Sequence, residues 1–378
     1  MTPLATLQTP ALLLDVQRVE RNAARMRAAV TDRGVLLRTH VKTSKSIDVA
    51  RLVIDPERPA ITVSTLREAE IFFDHGMHDI FYAVGITPNK LDRAFDLRAR
   101  GAALMLVVDT VDAAHAVASA ARRHGDAVPV TIEIDSDGHR AGVRPDQKDV
   151  LLAIAAALVE GARVAGVMTH AGGSYNARSD DELRHYARLE REGAITAANH
   201  LRQAGYDIDT VSIGSTPTAL FAEHFKGITE VRAGVFTFFD LVMAGIGVCG
   251  IDEIAISVLS SVIAVQPDKG QIVIDAGWMA LSRDRGTAAQ PVDQGYGLVC
   301  DADGVPIPDL IVAAANQEHG LVRVRDDSPC PLPDLKIGDL IRILPNHACA
   351  TGAQHDAYQV FDVECRAATA VWPRFHGW

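Results

Sequence analysis

Over about its first 240 residues the chain alternates short apolar runs with amphipathic segments, and this alternation restricts the fold more than any single residue does. Repeated units of this kind build a parallel sheet wrapped by helices. The runs are Ala11–Asp15, Val35–Lys42, Ala60–Thr65, Ile80–Gly85, Leu104–Asp109, Val128–Asp135, Val164–His170 and Thr210–Thr216. After the first of them, Val16–Val30 carries apolar residues at helical spacing. The runs are rich in Val, Ile and Leu, as strands buried on both faces should be. Eight such units in roughly 210 residues predict a (β/α)8 TIM-like barrel. A doubly wound open sheet shares this periodicity, so periodicity alone leaves it open.

After about Gly245 the pattern changes. Strand-like runs now follow one another with turn residues between: Ile254–Val265, Gln271–Ala276, Tyr296–Cys300, Ile311–Ala315, Leu321–Val324, Leu340–Leu344 and Ala357–Val363. They predict an antiparallel β domain. The expected division is residues 1–245 for the barrel and 246–378 for the β-rich domain, which the first residues could join. A chain of 378 residues is long for one typical domain and suits this pairing.

Composition narrows the function classes. Hydrophobic residues make up 48% and charged residues 22%, which allows a large core and argues against disorder. The formal charge is −11 with no basic tract, so nucleic acid and anionic membrane are poor partners. No apolar run has the length of a membrane span or the order of a signal peptide. Cys249, Cys300, Cys330, Cys349 and Cys365 are odd in number and include no CxxC pair, so a cytoplasmic chain without disulfides is expected.

Chemistry concentrates at the ends of the runs. In Leu36–Ser46, a strand would place Arg38, His40 and Lys42 on one face. A lysine at the C-terminal rim of a barrel strand sits where barrel enzymes place their chemistry. An imine to an aldehyde cofactor would explain such a lysine, and once released from the imine it is a base. The plain alternative is a rim lysine in a surface salt bridge. Lys45 is the competitor, at a spacing that puts it on the other face or in the loop.

The eighth run ends in Gly214-Ser215-Thr216-Pro217-Thr218, before a helix-like stretch. Glycine permits close backbone approach, and hydroxyls with the free amides of a helix start hold an anion. A simple N-cap has the same appearance. Arg232-Ala233-Gly234-Val235 follows and could close the same pocket. Two other runs end in polar residues: Glu133–Asp135, followed by Gly138–Gly142, and Thr169–His170, followed by Gly172–Tyr175.

Near the C-terminus stands Pro345-Asn346-His347-Ala348-Cys349. In an extended segment His347 and Cys349 point the same way, and imidazole and thiolate are good ligands for a zinc-like ion. Two protein ligands are too few for a structural site and leave the open positions that a catalytic metal needs. A buried cysteine beside a hydrogen-bonded histidine is the plain alternative. Glu318, His319 and His355 are further candidate ligands with weaker claims.

Together these segments resemble the fold-type III pyridoxal 5′-phosphate (PLP) enzymes, the alanine-racemase-like class. Within it they resemble the metal-dependent branch of D-serine dehydratase, D-threonine aldolase and D-threo-3-hydroxyaspartate dehydratase. The resemblance spans nearly the whole chain: TPALLLD, HVKTSK, EIDSDGHRAGV, THAGGSY, GSTPT, RAGVFTFFD, DAGWMALSRDRG, NQEHG and PNHACATG. It implies a Schiff base at Lys42, with His40 beside it. It places Arg140 near the cofactor's phenolic oxygen, His170 stacked on the pyridine ring and Tyr175 in the same pocket. Gly214, Ser215, Thr216, Gly234 and Val235 would hold the phosphate, and Arg232 matches the racemase arginine at the ring nitrogen, a position where branches differ. His347 and Cys349 match the metal pair, for zinc, manganese or magnesium.

In this branch aldolases usually carry Asp where this chain has Cys349, and GSTPT, THAGGSY and GWMALSRDRG are most similar to the hydroxyaspartate dehydratases. The resemblance therefore implies a D-β-hydroxy amino acid ammonia-lyase, with D-threo-3-hydroxyaspartate as substrate, oxaloacetate and ammonia as products, and D-serine as a second substrate. Retro-aldol cleavage to glycine on the same scaffold is the alternative, and a non-catalytic PLP-binding protein the second. A homodimer is expected. Arg283 or Arg285 is the expected partner of a second substrate carboxylate, because arginine matches carboxylate geometry.

Overall fold

The structure is a computed structural model that describes residues 1–362 and 364–378. Its contacts divide them into two compact units. One comprises Met1–Ala23, Thr43–Leu52 and Val235–His376; the other comprises Ala24–Lys42, Val53–Gly234 and Gly377–Trp378.

The second unit is a barrel of parallel strands. They are β1 (Leu36–Leu37, continued at Thr39–His40), β2 (Ala60–Val63), β3 (Asp79–Tyr82), β4 (Ala103–Val108), β5 (Pro129–Ile134), β6 (Arg163–Thr169), β7 (Thr210–Ile213) and β8 (Glu230–Val231). The two halves of β1 close the ring: Leu36–Leu37 pairs with β8, and Thr39–His40 with β2. Strand interiors such as Ile61, Ile80, Leu104, Ile132 and Val167 are fully buried, as strands packed on both faces require. Helices Leu66–Asp74, Pro88–Ala99, Val111–His124, Lys148–Leu158 and Asp180–Gln203 alternate with the strands. Thr65, Thr110 and Ser179 cap three of them by accepting a backbone N–H.

The barrel strands differ from the expected set in one respect. Ala11–Leu14 is a strand, but it pairs with Ile256–Gln266 and Ala357–Asp362 in the other unit. The eighth barrel strand is Glu230–Val231 instead. The GSTPT segment therefore follows β7, and Arg232–Gly234 follows β8, the two strands after which barrels commonly bind phosphate.

The first unit carries a ten-stranded sheet, mostly antiparallel. Six of its strands, Ile256–Gln266, Gln271–Ile274, Gly320–Val324, Pro306–Ala315, Leu298–Cys300 and Leu340–Leu344, close on themselves because the last also pairs with the first. The expected run Ala357–Val363 is a strand over Ala357–Asp362; Val363 lies outside the described residues. Among the described residues no helix is long and apolar enough to cross a membrane.

Candidate active site

Lys42 does not lie on a strand. β1 ends at His40, and Val41–Ser44 form a turn. Its side chain is exposed. Among the described residues no hydrogen bond or salt bridge engages its amine, which removes the surface-salt-bridge reading. Arg38, expected to share a site face with it, is buried at the other end of the strands. It bonds Glu230 (2.8 Å) and Asp79 (2.6 Å), the first residues of β8 and β3. Lys45 has a left-handed backbone, φ 43°, and its carbonyl accepts from the N–H of Phe375.

Two histidines stand at neighbouring strand ends. His40 Nε2 lies 3.4 Å from Ser64 Oγ. Burial pushes it well below the usual histidine range, with the charges of Lys42, Arg232 and His170 adding to the effect. His170 Nδ1 lies 2.6 Å from the Gly214 carbonyl. A carbonyl only accepts, so Nδ1 carries the hydrogen. Burial brings this imidazole down to about 3, against the Gly214 bond and with the positive charges of Lys42, Arg140 and Arg232. Both rings are therefore neutral at ordinary pH. Tyr175, in the turn Gly172–Asn176, has its ring centroid 6.0 Å from that of His170.

The segment after β7 is built for close approach. Gly214 has φ 153°, and a Cβ there would lie 1.9 Å from the Arg232 carbonyl oxygen, so only glycine fits. Ser215 caps the short helix Thr216–Phe221, accepting from the Thr218 N–H at 3.2 Å. Its hydroxyl is thus already engaged as a cap. Arg232 is buried inside the barrel and donates to Ser212 Oγ and to the Thr169 carbonyl (2.6 Å). Arg140 is mostly exposed and sits 3.4 Å from the buried Glu133. Gly234 follows β8, and Val235 opens the turn Val235–Thr237.

These residues fit PLP on two grounds. Lys42 and Arg232 add to the depression that burial causes at both histidines, and Arg140 to that at His170, so positive charge gathers where a phosphorylated, phenolic group would suit. Gly214 lets the segments after β7 and β8 meet, since a Cβ there would strike the Arg232 backbone, and these are the strands after which barrels commonly bind phosphate.

The His-x-Cys segment belongs to the other unit. His347 is extended (φ −134°), but Ala348–Gly352 is helical, so Cys349 is on a helical turn and not in an extended segment. The two side chains still meet, through a hydrogen bond between ring and sulfur. His347 Nδ1 donates to Asp284 Oδ2 at 2.6 Å, and Cys349 Sγ is 3.4 Å from Thr43 Oγ1. Burial lowers the His347 pKa, but Asp284, Cys349 and Asp240 outweigh it and raise it to about 11. Surroundings that hold a proton this firmly favour a cation. An imidazole and a sulfur in contact, with a carboxylate behind the imidazole, form a donor set that fits a divalent metal. Among the described residues no cluster of three or more His, Cys, Asp or Glu could hold an ion. His355 bonds the Ala280 carbonyl instead (3.0 Å), and Glu318 and His319 lie exposed in a hairpin turn; none joins the pair.

Three carboxylates escaped the sequence reading. Asp284 orients His347. Asp240 is buried and accepts from Met243 N–H (2.9 Å) and Ala348 N–H (3.0 Å), which pins the His-x-Cys segment. Glu190 is buried behind the barrel loops and accepts from Ala171 and Gly214. Only Glu190 left a sequence signal: it interrupts the apolar stripe Leu183, Ala187, Ala194, Ala197, Leu201 of its helix. Loss of a carboxylate that orients a metal ligand typically weakens binding about 10–100-fold, so Asp284→Ala is expected to raise the metal dissociation constant by that factor in a calorimetric titration. An unchanged constant would remove Asp284 from the site.

Comparisons with known proteins show the family. Residues 14–242 match the family "Alanine racemase, N-terminal domain", and residues 255–361 match "Putative serine dehydratase domain". D-threo-3-hydroxyaspartate dehydratase of Delftia sp. (strain HT23) is 51% identical over 99% of both chains. A solved structure of D-threo-3-hydroxyaspartate dehydratase, a cysteine-to-alanine mutant in the metal-free form, superposes with a TM-score of 0.95 at 49% identity, covering 100% of both chains. The 3-hydroxy-D-aspartate aldolase of Paracoccus denitrificans (strain Pd 1222) is 28% identical, over 97% of this chain and 91% of that protein. The chain belongs to the alanine-racemase-like family whose barrel is joined to a serine dehydratase-type domain.

Proposed function

We propose that this chain is a PLP- and divalent-metal-dependent lyase that converts D-threo-3-hydroxyaspartate to oxaloacetate and ammonia, with D-serine as a second substrate. The observation that carries the reading is the contact of His347 with Cys349, backed by Asp284. When bound, PLP supplies an electron sink for a carbanion at the substrate α-carbon, and the metal a Lewis acid for departure of the β-hydroxyl.

The barrel's own residues do the following. The Lys42 amine, free of partners, takes the α-proton. His170, neutral and fixed through Nδ1, presents a flat ring face that adds no charge to the cofactor site. His40, equally uncharged, lines the pocket beside Lys42. Arg140, and Arg232 fixed by Ser212 and Thr169, would help to hold the cofactor through their guanidinium groups. The segments Gly214–Thr216 and Gly234–Val235 hold the phosphate. In the other unit, His347 and Cys349 ligate a metal such as zinc, which their nitrogen and sulfur favour, or manganese or magnesium. Net, the α-hydrogen and β-hydroxyl leave as water, and one water returns when the released enamine hydrolyses to oxaloacetate and ammonia. The same reading has the enzyme act as a cytoplasmic homodimer.

The second carboxylate of hydroxyaspartate needs a partner, and the two candidate arginines differ. Arg285 is committed to Asp293 (2.6 Å). Arg283 is exposed, lies over the Trp278 ring at 4.9 Å and, among the described residues, has no carboxylate partner; it directly precedes Asp284. Arg283 therefore takes that role in this reading. Losing a charge-assisted bond should raise KM for hydroxyaspartate roughly tenfold in Arg283→Ala and leave D-serine within about twofold. Equal losses on both substrates would count against the assignment.

Product analysis on D-threo-3-hydroxyaspartate, D-serine and D-threonine tests the function. Oxaloacetate or pyruvate with ammonia supports the lyase; glycine with an aldehyde identifies an aldolase; no turnover by the PLP-loaded chain with metal overturns the reading.

A further inference from the structure

Gly214 is held from both sides. Its carbonyl accepts from His170 Nδ1 at 2.6 Å, and its N–H donates to Glu190 Oε1 at 3.1 Å. The same Glu190 oxygen accepts the N–H of Ala171, the residue after His170, at 2.9 Å. One carboxyl oxygen therefore ties the chain leaving β6 to the chain leaving β7, at the two residues between which the imidazole bond runs. Glu190 has no exposure to solvent, and it occupies a position in its helix where neighbouring turns place Ala187 and Ala194. Burial raises its carboxyl pKa, countered by Thr218 and the two backbone N–H groups. A carboxyl is costly there unless its acceptor oxygen is needed.

We propose that Glu190 is a positioning residue for His170: by anchoring Gly214 and Ala171 it aims the Gly214 carbonyl at Nδ1, which keeps the imidazole in the Nδ1–H tautomer and leaves Nε2 bare. The requirement is for one acceptor oxygen and not for charge. Glutamine at position 190 supplies such an oxygen, whereas leucine leaves two buried N–H groups without a partner. Gly214 also opens the GSTPT segment, so the same anchor sets where that segment stands. The inference rests on the proposed function only in identifying the ligand of that segment as PLP.

Histidine-selective 15N spectra of the full chain, PLP-loaded and stripped, test it, with the His170 signals among the 14 histidines assigned by their loss in His170→Asn. Wild type is expected to show a single Nδ1–H tautomer in both forms; an Nε2–H tautomer or an exchanging mixture overturns the proposal at once. Glu190→Leu should show mixed tautomers and a PLP dissociation constant raised roughly tenfold, as unpairing a buried N–H implies. Glu190→Gln should restore both to wild-type values. A single tautomer and unchanged PLP affinity in Glu190→Leu, or mixed tautomers in Glu190→Gln, also overturn it. If Glu190→Leu does not fold, Glu190→Asp, which withdraws the oxygen by one methylene, is expected to mix the tautomers, and failure to do so has the same force. A chain that binds no PLP would sink the proposed function, while the tautomer spectra would still decide the role of Glu190.

Discussion

Replacing Lys42 with alanine is expected to lower kcat on D-threo-3-hydroxyaspartate by about 10³-fold, within the range that a positioned proton-transfer group contributes. The size follows from the neighbours. His170 is brought down to about 3 and His40 well below its usual range, so neither is basic enough to take over as proton acceptor. A guanidinium does not give up its proton in a protein, so neither arginine of the pocket can serve. Arginine at position 42 should not rescue turnover, because it keeps the charge but cannot give up its proton. Borohydride treatment should fix the cofactor covalently to the wild-type chain and not to the variant, read as a mass shift. A kcat within tenfold of wild type in Lys42→Ala would exclude the assigned role.

Removing the metal ranks next. Chelation, or His347→Ala or Cys349→Ala, should lower turnover roughly 10²–10³-fold, the rate equivalent of losing a few kcal/mol of Lewis-acid assistance. Added zinc, manganese or magnesium should restore the chelated wild type and not the variants. Circular dichroism should change little, because two protein ligands make an open site and not a structural one. The segment is held without metal by Asp240 on the Ala348 N–H and by Asn346, whose side-chain amide donates to the Gly295 carbonyl at 2.6 Å. Catalysis indifferent to chelation would reject both the lyase and the aldolase reading.

The barrel was legible in sequence because buried parallel strands are apolar throughout, and seven of its strands stand as clear runs. The same property misled at Ala11–Leu14. That segment is just as buried and just as apolar, but in the other sheet, and composition does not say which sheet buries a strand. Glu230–Val231 was invisible for the opposite reason: two residues, one of them acidic, carry no periodicity. Its glutamate is affordable inside a barrel only because Arg38 lies 2.8 Å away, a partner 192 positions distant in the chain.

At the site, motif residues were readable and their supports were not. Lys42, His170, Gly214, His347 and Cys349 stand in short patterns whose chemistry is local. Asp240 and Asp284 act over 108 and 63 positions, through contacts that no spacing rule encodes. The strand placement of Lys42 also failed, since the strand ends two residues earlier and a turn carries the side chain. Its unengaged amine, visible only in the structure, is the better reason to assign it.

The pairing of Ala11–Leu14 has a consequence during synthesis. This apolar strand leaves the ribosome early, yet its two partners, Ile256–Gln266 and Ala357–Asp362, are made about 240 and about 340 positions later, which at about 5–20 residues per second is a wait of up to roughly 20 to 70 seconds. Both of its edges are open until the first partner emerges, and one stays open until the second does, for pairing with whatever strand is near. Nascent chains of this protein are thus exposed to association on polysomes, and any message truncated before Ala357 yields a product in which one edge of the strand is never closed.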